Sequence, residues 1–138
     1  MQDFKYYAPT EVVFGKDAEE HLVEMINKYG GKKVLVHYGG HSAERSGLLA
    51  SVREKLNAAG ISFVELGGVK PNPRLTLVHE GIELCRKENV DFILAVGGGS
   101  VIDSSKAIGF GVKYDGDVWD IYARKYVPTD MLPVGVIL

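Results

Sequence analysis

Residues 89–108, NVDFILAVGGGSVIDSSKAI, constrain the fold of this chain more than any other stretch. An apolar run ends at three glycines, and a serine then opens a helical pattern. That is the layout of a strand delivering the chain to a phosphate. Glycine lets the backbone approach an anion closely, and the first helical turn aims unpaired N–H groups and a positive dipole end at it. Such a unit needs parallel neighbours, so the rest of the chain should alternate strands with helices.

It does. Two β-prone runs at residues 4–7 and 11–15 flank Pro9 and predict an N-terminal β-hairpin or edge ribbon. Asp17 and Glu20 form a D-x-x-E helix start, followed by Ala18, Leu22, Met25, Ile26 and Tyr29 at helical spacing, with Gly30 and Gly31 as the stop. A short strand at 33–37 runs into Tyr38-Gly39-Gly40-His41-Ser42. A second helix follows, with Leu48, Leu49, Val52, Leu56 and Ala59 on one face, Ser46 as its cap and Gly60 at its end. A strand at 61–66 ends in Gly67-Gly68, and the stiff turn Pro71-Asn72-Pro73 leads to a third helix with Leu75, Val78, Ile82 and Cys85 inward. The glycine-loop strand at 90–96, a fourth helix from Ser100, an aromatic segment at 114–126 and a final apolar run at 133–138 complete the chain.

Strands alternating with helices of about 12 residues predict a Rossmann-like parallel sheet with helices on both faces. In right-handed parallel units, every strand-to-helix loop emerges at the carboxyl edge of the sheet, where ligands bind. Gly39-Gly40, Gly67-Gly68 and the triple Gly97-Gly98-Gly99 should therefore share that edge. One such pair alone reads as a helix-entry turn; three together read as a binding edge.

At 138 residues the chain is long enough for one domain, and 46% hydrophobic with 25% charged residues is an ordinary globular balance. A net charge of -2 argues against a nucleic-acid surface. The single cysteine, Cys85, excludes an internal disulfide and reads as a buried thiol. No window reaches membrane-span length and the N-terminus does not resemble a signal peptide, which sets the expectation of a cytoplasmic protein. The apolar run at the end reads as a chain cut mid-strand, so the expected domain is residues 1–138, truncated near its last strand.

In the glycine loop, Gly97, Gly98 and Gly99 offer close-approach backbone for a pyrophosphate, with Ser100 as N-cap and hydroxyl donor. Asp103 and Lys106 follow at steps of three on one helix stripe; each reads either as a ligand contact or as a capping acid and a solvated lysine. The loop is not the G-x-G-x-x-G fingerprint. The loop after the first sheet strand contains Gly39, Gly40, His41 and Ser42; in a nicotinamide enzyme it should approach the adenosine ribose, and the lack of an acid to hold two ribose hydroxyls and repel a 2′-phosphate would then tilt the cofactor toward NADP over NAD. The histidines show no metal-ligand spacing on one helix, His21 and His79 read as structural, and no nucleophile elbow is present. Trp119 reads equally as a cleft wall or as a core anchor.

Taken in order, FKYYAPTEVVFGKDAEEHL, KVLVHYGGHSAERSGLL, VKPNPR, DFILAVGGGSVIDSSKAI and DVWDIY resemble the iron-containing alcohol dehydrogenases, with the NAD(P)H-dependent butanol dehydrogenase branch the best match. The resemblance implies an N-terminal nucleotide-binding domain followed by a helical metal-binding domain. Substrate and Fe(II) or Zn(II) would lie in the cleft between the two. It further implies pyrophosphate binding by Gly97, Gly98, Gly99 and Ser100, and a nicotinamide-ribose contact at Asp103. Asn72 would lie near the cofactor, and Gly39, Gly40 and Ser42 near the adenosine ribose or its 2′-phosphate. The family's metal ligands, an aspartate and three histidines, belong to the helical domain, which is absent from this sequence, as is the threonine-rich loop on the nicotinamide side. The whole protein is thus expected to be a metal-dependent oxidoreductase that passes hydride between NAD(P)(H) and a small alcohol or aldehyde such as butanol or butyraldehyde. This chain alone is expected to be inactive and, with its cleft wall bare, to self-associate as a homodimer. The alternatives are a domain of a glycerol dehydrogenase or dehydroquinate synthase-like enzyme, and a free-standing nucleotide-binding module.

Overall fold

The computed structural model describes residues 2–71 and 74–138, with Ser42 described by its backbone alone. Four strands form one sheet: β1 (Lys33–Tyr38), β2 (Ser62–Leu66), β3 (Phe92–Val96) and β4 (Val134–Ile137). Their order is β2-β1-β3-β4, and every pairing is parallel. Val36 of β1 lies between Glu65 of β2 and Leu94 of β3, which fixes the register across the centre of the sheet. The strand starts are tied as well: the Asp91 carboxylate accepts from the Lys32 and Lys33 N–H groups, each at 2.9 Å.

Alternation along the strands sorts the core onto the two faces. Val34 and Val36 of β1 and Phe92, Leu94 and Val96 of β3 bury against Leu22 and Ile26 of α1 (Leu22–Lys28) and Leu49, Val52 and Leu56 of α3 (Leu48–Ala58). Leu35 and Ile93 face the other way, onto Val78, Ile82 and Cys85 of α4 (Leu75–Glu88) and Ala107 and Ile108 of α5 (Gly99–Val112). This period-two division is what a parallel sheet covered on both sides requires. Two shorter helices, α2 (Ser42–Arg45) and α6 (Trp119–Tyr122), lie in the connections. On the second face, α4 and α5 interlock reciprocally: Ile108 covers Gly81, and Ile82 covers Gly111. A side chain at either glycine would meet the opposing isoleucine, so these two positions set how closely the helices approach.

The first helix begins later than the D-x-x-E signal implies. Ala18–His21 form a 3-10 turn, and Asp17 makes no side-chain capping bond. Leu22 and Ile26 are buried as expected, whereas Tyr29 is 45% exposed and donates its hydroxyl to Glu11 at 2.8 Å. Ser46 acts only at long range on α3, accepting from Leu48 N–H at 3.4 Å, while Gly47 in left-handed conformation occupies the N-cap. Leu75, expected inward, is 36% exposed at the first turn of α4. Cys85 is buried, and that burial pushes its thiol up to about 12.

The expected N-terminal β-hairpin does not form: residues 2–14 contain no strand. Phe4, Tyr6, Tyr7 and Phe14 are exposed, because no described sheet face lies beneath them to bury the alternating apolar side chains. The segment is instead held to α1 through Glu11, which accepts from Lys28 Nζ and Tyr29 Oη, both at 2.8 Å.

Candidate functional site

The chain turns from β1 into α2 and α3 on one face, then crosses back over β1 through α4 and continues to α5 on the other. The loops leaving β1 and β3 therefore diverge to opposite faces, although the two strands are neighbours. That divergence opens a crevice beyond their carboxyl ends, the usual ligand position in an open α/β sheet. The loop after β2 joins it: Gly68 N–H donates to Gly39 O at 3.0 Å, and Val69 N–H to Tyr38 O at 3.3 Å. All three glycine loops expected at one edge are there.

Gly39 is half-buried, and a Cβ on it would stand 3.4 Å from Val69 O and 3.7 Å from Val101 Cγ2. It thus sits where the β2 loop and the first turn of α5 converge. Gly40 is exposed with open space beside it, and Ser42 begins α2. Asn72 lies outside the described residues.

Gly97 turns the chain out of β3 with φ +143°, against Val101. Gly98, with φ −92° and ψ −161°, is the N-cap of α5, and its carbonyl accepts from the Val101 and Ile102 N–H groups, each at 3.1 Å. This corrects the expectation that Ser100 caps the helix: the helix starts at Gly99, and Ser100 is its second residue. The glycine triplet supplies its own turn, so a capping side chain is not needed. The consequence is useful for a ligand. Among the described residues, the Gly99 and Ser100 N–H groups have no acceptor, Gly98 and Gly99 have open space where side chains would be, and no acid lies in the first turn. The positive end of a helix of 14 residues therefore meets the crevice unneutralised.

Asp103 and Lys106 are exposed one and two turns along α5 and border a hollow of about 560 Å³. Its floor is Leu75, Val78, Ala107 and Phe110, and its wall is Trp119 with Tyr122. These two aromatic rings stack at 6.3 Å between centroids and are each about half exposed. Burial, with Asp103 as a second cause, raises the Tyr122 hydroxyl above its ordinary range. Trp119 therefore lines this hollow and does not anchor the core; its neighbour Val118, 1% exposed, holds the segment there. His79 Nε2 pairs with Asp117 at 3.0 Å and ties the start of that segment to α4.

One feature escaped the sequence reading. His37, fully buried at the carboxyl end of β1, bonds Leu66 O through Nδ1 at 2.7 Å and Ser104 Oγ through Nε2 at 2.8 Å. A carbonyl only accepts, so Nδ1 carries the proton and Nε2 receives the serine O–H. Burial, the larger effect, lowers the imidazole's affinity for a second proton. The only signal in the sequence was a histidine at the end of an otherwise apolar strand. Among the described residues, no group of three or more His, Cys, Asp or Glu side chains could hold a metal ion.

Residues 9–138 match the profile of the family described as iron-containing alcohol dehydrogenase. The whole chain is 53% identical to a probable NADH-dependent butanol dehydrogenase 1 of Bacillus subtilis and 49% identical to NADH-dependent butanol dehydrogenase A of Clostridium acetobutylicum, covering 35% of each. It is 37% identical to an NADPH-dependent aldehyde reductase of Escherichia coli, again over 35% of that protein. The crystal structure of NADH-dependent butanol dehydrogenase A from Thermotoga maritima superposes with a TM-score of 0.96 at 43% identity, over 100% of this chain and 35% of that one. The chain thus spans about a third of the length of the relatives it matches. With a parallel sheet, a glycine-lined crevice and this likeness along its length, the chain belongs to the iron-containing alcohol dehydrogenase family.

Proposed function

We propose that this chain is a dinucleotide-binding domain, residues 1–138, of an oxidoreductase that passes hydride between NAD(P)(H) and a small primary alcohol or aldehyde, butanol or butyraldehyde among them. The observation that carries the reading is the crevice between β1 and β3, where the β1 and β2 loops are hydrogen-bonded to each other and two N–H groups at the start of α5 have no acceptor among the described residues. A pyrophosphate fits that end of the helix: Gly97, Gly98, Gly99 and Ser100 would hold it by backbone N–H groups and the serine hydroxyl. Gly39, Gly40 and Ser42 would receive the adenosine ribose or its 2′-phosphate, Asn72 would lie near the cofactor, and Asp103 would meet the nicotinamide ribose. The bound cofactor supplies the hydride; the chain's own residues bind and orient it.

The relatives' names divide between NADH and NADPH. Nothing acidic in the β1 loop opposes a 2′-phosphate, so acceptance of NADP(H) is part of this proposal. No group of three or more His, Cys, Asp or Glu side chains among the described residues could hold a metal ion, and this proposal places metal chemistry in the length of the relatives that this chain does not match. Self-association through the bare aromatic surface and a cytoplasmic location complete the reading; light scattering that finds only monomer at high concentration would remove the first of these.

Calorimetric titration of the chain with NADH and NADPH separately tests the binding role, and saturable binding of either is the expected result. A turnover assay with butyraldehyde, NADPH and Fe(II) or Zn(II) should detect no activity from this chain alone. Rates near those of a full-length relative would overturn the assignment of catalysis to the part of the relatives that this chain does not match.

A further inference from the structure

We infer that His37 and Ser104 are positioning residues: their buried hydrogen bond fixes α5 against β1 and β2 and so holds the glycine loops of the crevice at a set separation. The ligand in this inference rests on the function proposed above; the geometry does not. The imidazole touches all three elements that build the crevice. His37 precedes Tyr38, Gly39 and Gly40 on β1; Leu66, whose carbonyl it bonds at 2.7 Å, precedes Gly67 and Gly68; Ser104, bonded at 2.8 Å, follows Asp103 and lies about one turn from Ser100. The Gly68-to-Gly39 hydrogen bond at 3.0 Å closes the circuit outside the core.

His37 is 0% exposed and Ser104 1% exposed, so both act from beneath the crevice, with the serine hydroxyl committed to the ring. Apolar side chains of similar volume would fill this space without desolvating the ring and the hydroxyl, at the cost of the bond that the ring donates to Leu66 O. What they would not supply is direction. A hydrogen bond loses most of its strength beyond roughly 3.5 Å, and a slide of α5 by one residue moves it about 1.5 Å. A bond of 2.8 Å between ring and hydroxyl therefore pins both the height and the rotation of the helix whose first turn faces the crevice. Methyl against methyl would tolerate either change.

The test uses Ser104→Ala and the doubly apolar His37→Leu/Ser104→Ala, the second keeping the core filled should the first destabilise the chain. Both are titrated with NADH and with AMP, which carries only the adenosine half, and amide exchange is followed at residues 103–108. Ser104→Ala is expected to bind NADH about tenfold more weakly and AMP within about twofold of the original. In both variants exchange at 103–108 should rise about tenfold while α1 and α3 stay unchanged. A role in packing alone would shift all ligands and all helices together. A double variant that keeps both its NADH affinity and its exchange at 103–108 overturns the inference. Should the unmodified chain bind neither NADH nor AMP, the cofactor reading falls, and exchange alone then decides: faster exchange confined to 103–108 upholds the positioning role, and unchanged exchange rejects it.

Discussion

Gly97 and Val101 meet as bare backbone against methyl: a Cβ on Gly97 would stand 2.9 Å from Val101 Cγ2. Val101 cannot retreat freely, being 6% exposed and packed with Val69 and Ala95 in a small cluster beneath the loop. The turn out of β3 at φ +143° is also one that only glycine adopts without strain. One residue on, Gly98 has φ −92° and nothing within 4 Å of a built Cβ. The two glycines of one loop therefore serve different purposes, the first the fold and the second the open space in front of α5.

Alanine at each position separates those purposes. Gly97→Ala should lower unfolding free energy by about 1–3 kcal/mol, whereas Gly98→Ala should stay within about 0.5 kcal/mol of the original. Urea denaturation measures both. Gly98→Ala should nonetheless weaken NADH binding, because its methyl stands where the anion would approach. Equal stability losses in the two variants would contradict this division.

The buried imidazole gives stability a pH dependence whose sign follows from its surroundings. Burial lowers the His37 pKa, and the Leu66 carbonyl opposes the shift only in part. The unfolded chain, with an ordinary histidine near pH 6.5, then binds more protons than the folded one below that pH. Stability is fully present above about pH 6.5 and falls as the pH drops toward the folded value, with a slope from this group of at most about 1.4 kcal/mol per pH unit. The groups that face the ring are the Ser104 hydroxyl and the Leu66 carbonyl, neither of which titrates here. Comparing His37→Asn with the original between pH 7.5 and 5 isolates the effect; the variant should show the flatter profile, and parallel profiles would mean that the ring binds its proton equally well folded and unfolded.

Val118 and Trp119 make a matched pair for a third measurement. Val118→Ala removes methyls from a site 1% exposed and should cost about 1–3 kcal/mol. Trp119→Ala alters a half-exposed wall and should cost less than about 1 kcal/mol. The ranking, read from thermal or urea unfolding, is the reverse of what side-chain size alone suggests.

How far the sequence reached depended on whether the signal was local. Periodicity located the helix faces around Leu49, Val52 and Leu56 and around Val78, Ile82 and Cys85, because burial recurs with the helical repeat. Glycines after β1, β2 and β3 locate the crevice, because the parallel sheet brings strand ends to one edge. The hairpin failed because β-prone residues at 4–7 and 11–15 form strands only when a partner accepts them. Gly98 and not Ser100 caps α5 because three successive glycines leave the helix start free to move by a residue or two. The His37–Ser104 contact joins residues 67 positions apart, and no local pattern records it.

Cofactor choice provides the most direct test of the β1 loop. Gly39 has no left-handed φ, so a side chain there meets no backbone penalty, and its Cβ would have 3.4 Å to Val69 O and 3.7 Å to Val101 Cγ2. That is snug but passable, and the group would project at the junction of the β1 and β2 loops. If the adenosine ribose sits here as proposed, an aspartate would accept hydrogen bonds from its two hydroxyls and repel a 2′-phosphate. Gly39→Asp should therefore shift the ratio of NADH to NADPH affinity toward NADH by about tenfold or more, the effect of roughly 1.4 kcal/mol. Because a tight fit could also weaken both cofactors equally, the ratio and not either affinity is the quantity to follow. Gly40→Asp, with nothing within 4 Å of its Cβ, serves as the sterically free control. An unchanged ratio in both variants would move the adenosine ribose away from this loop.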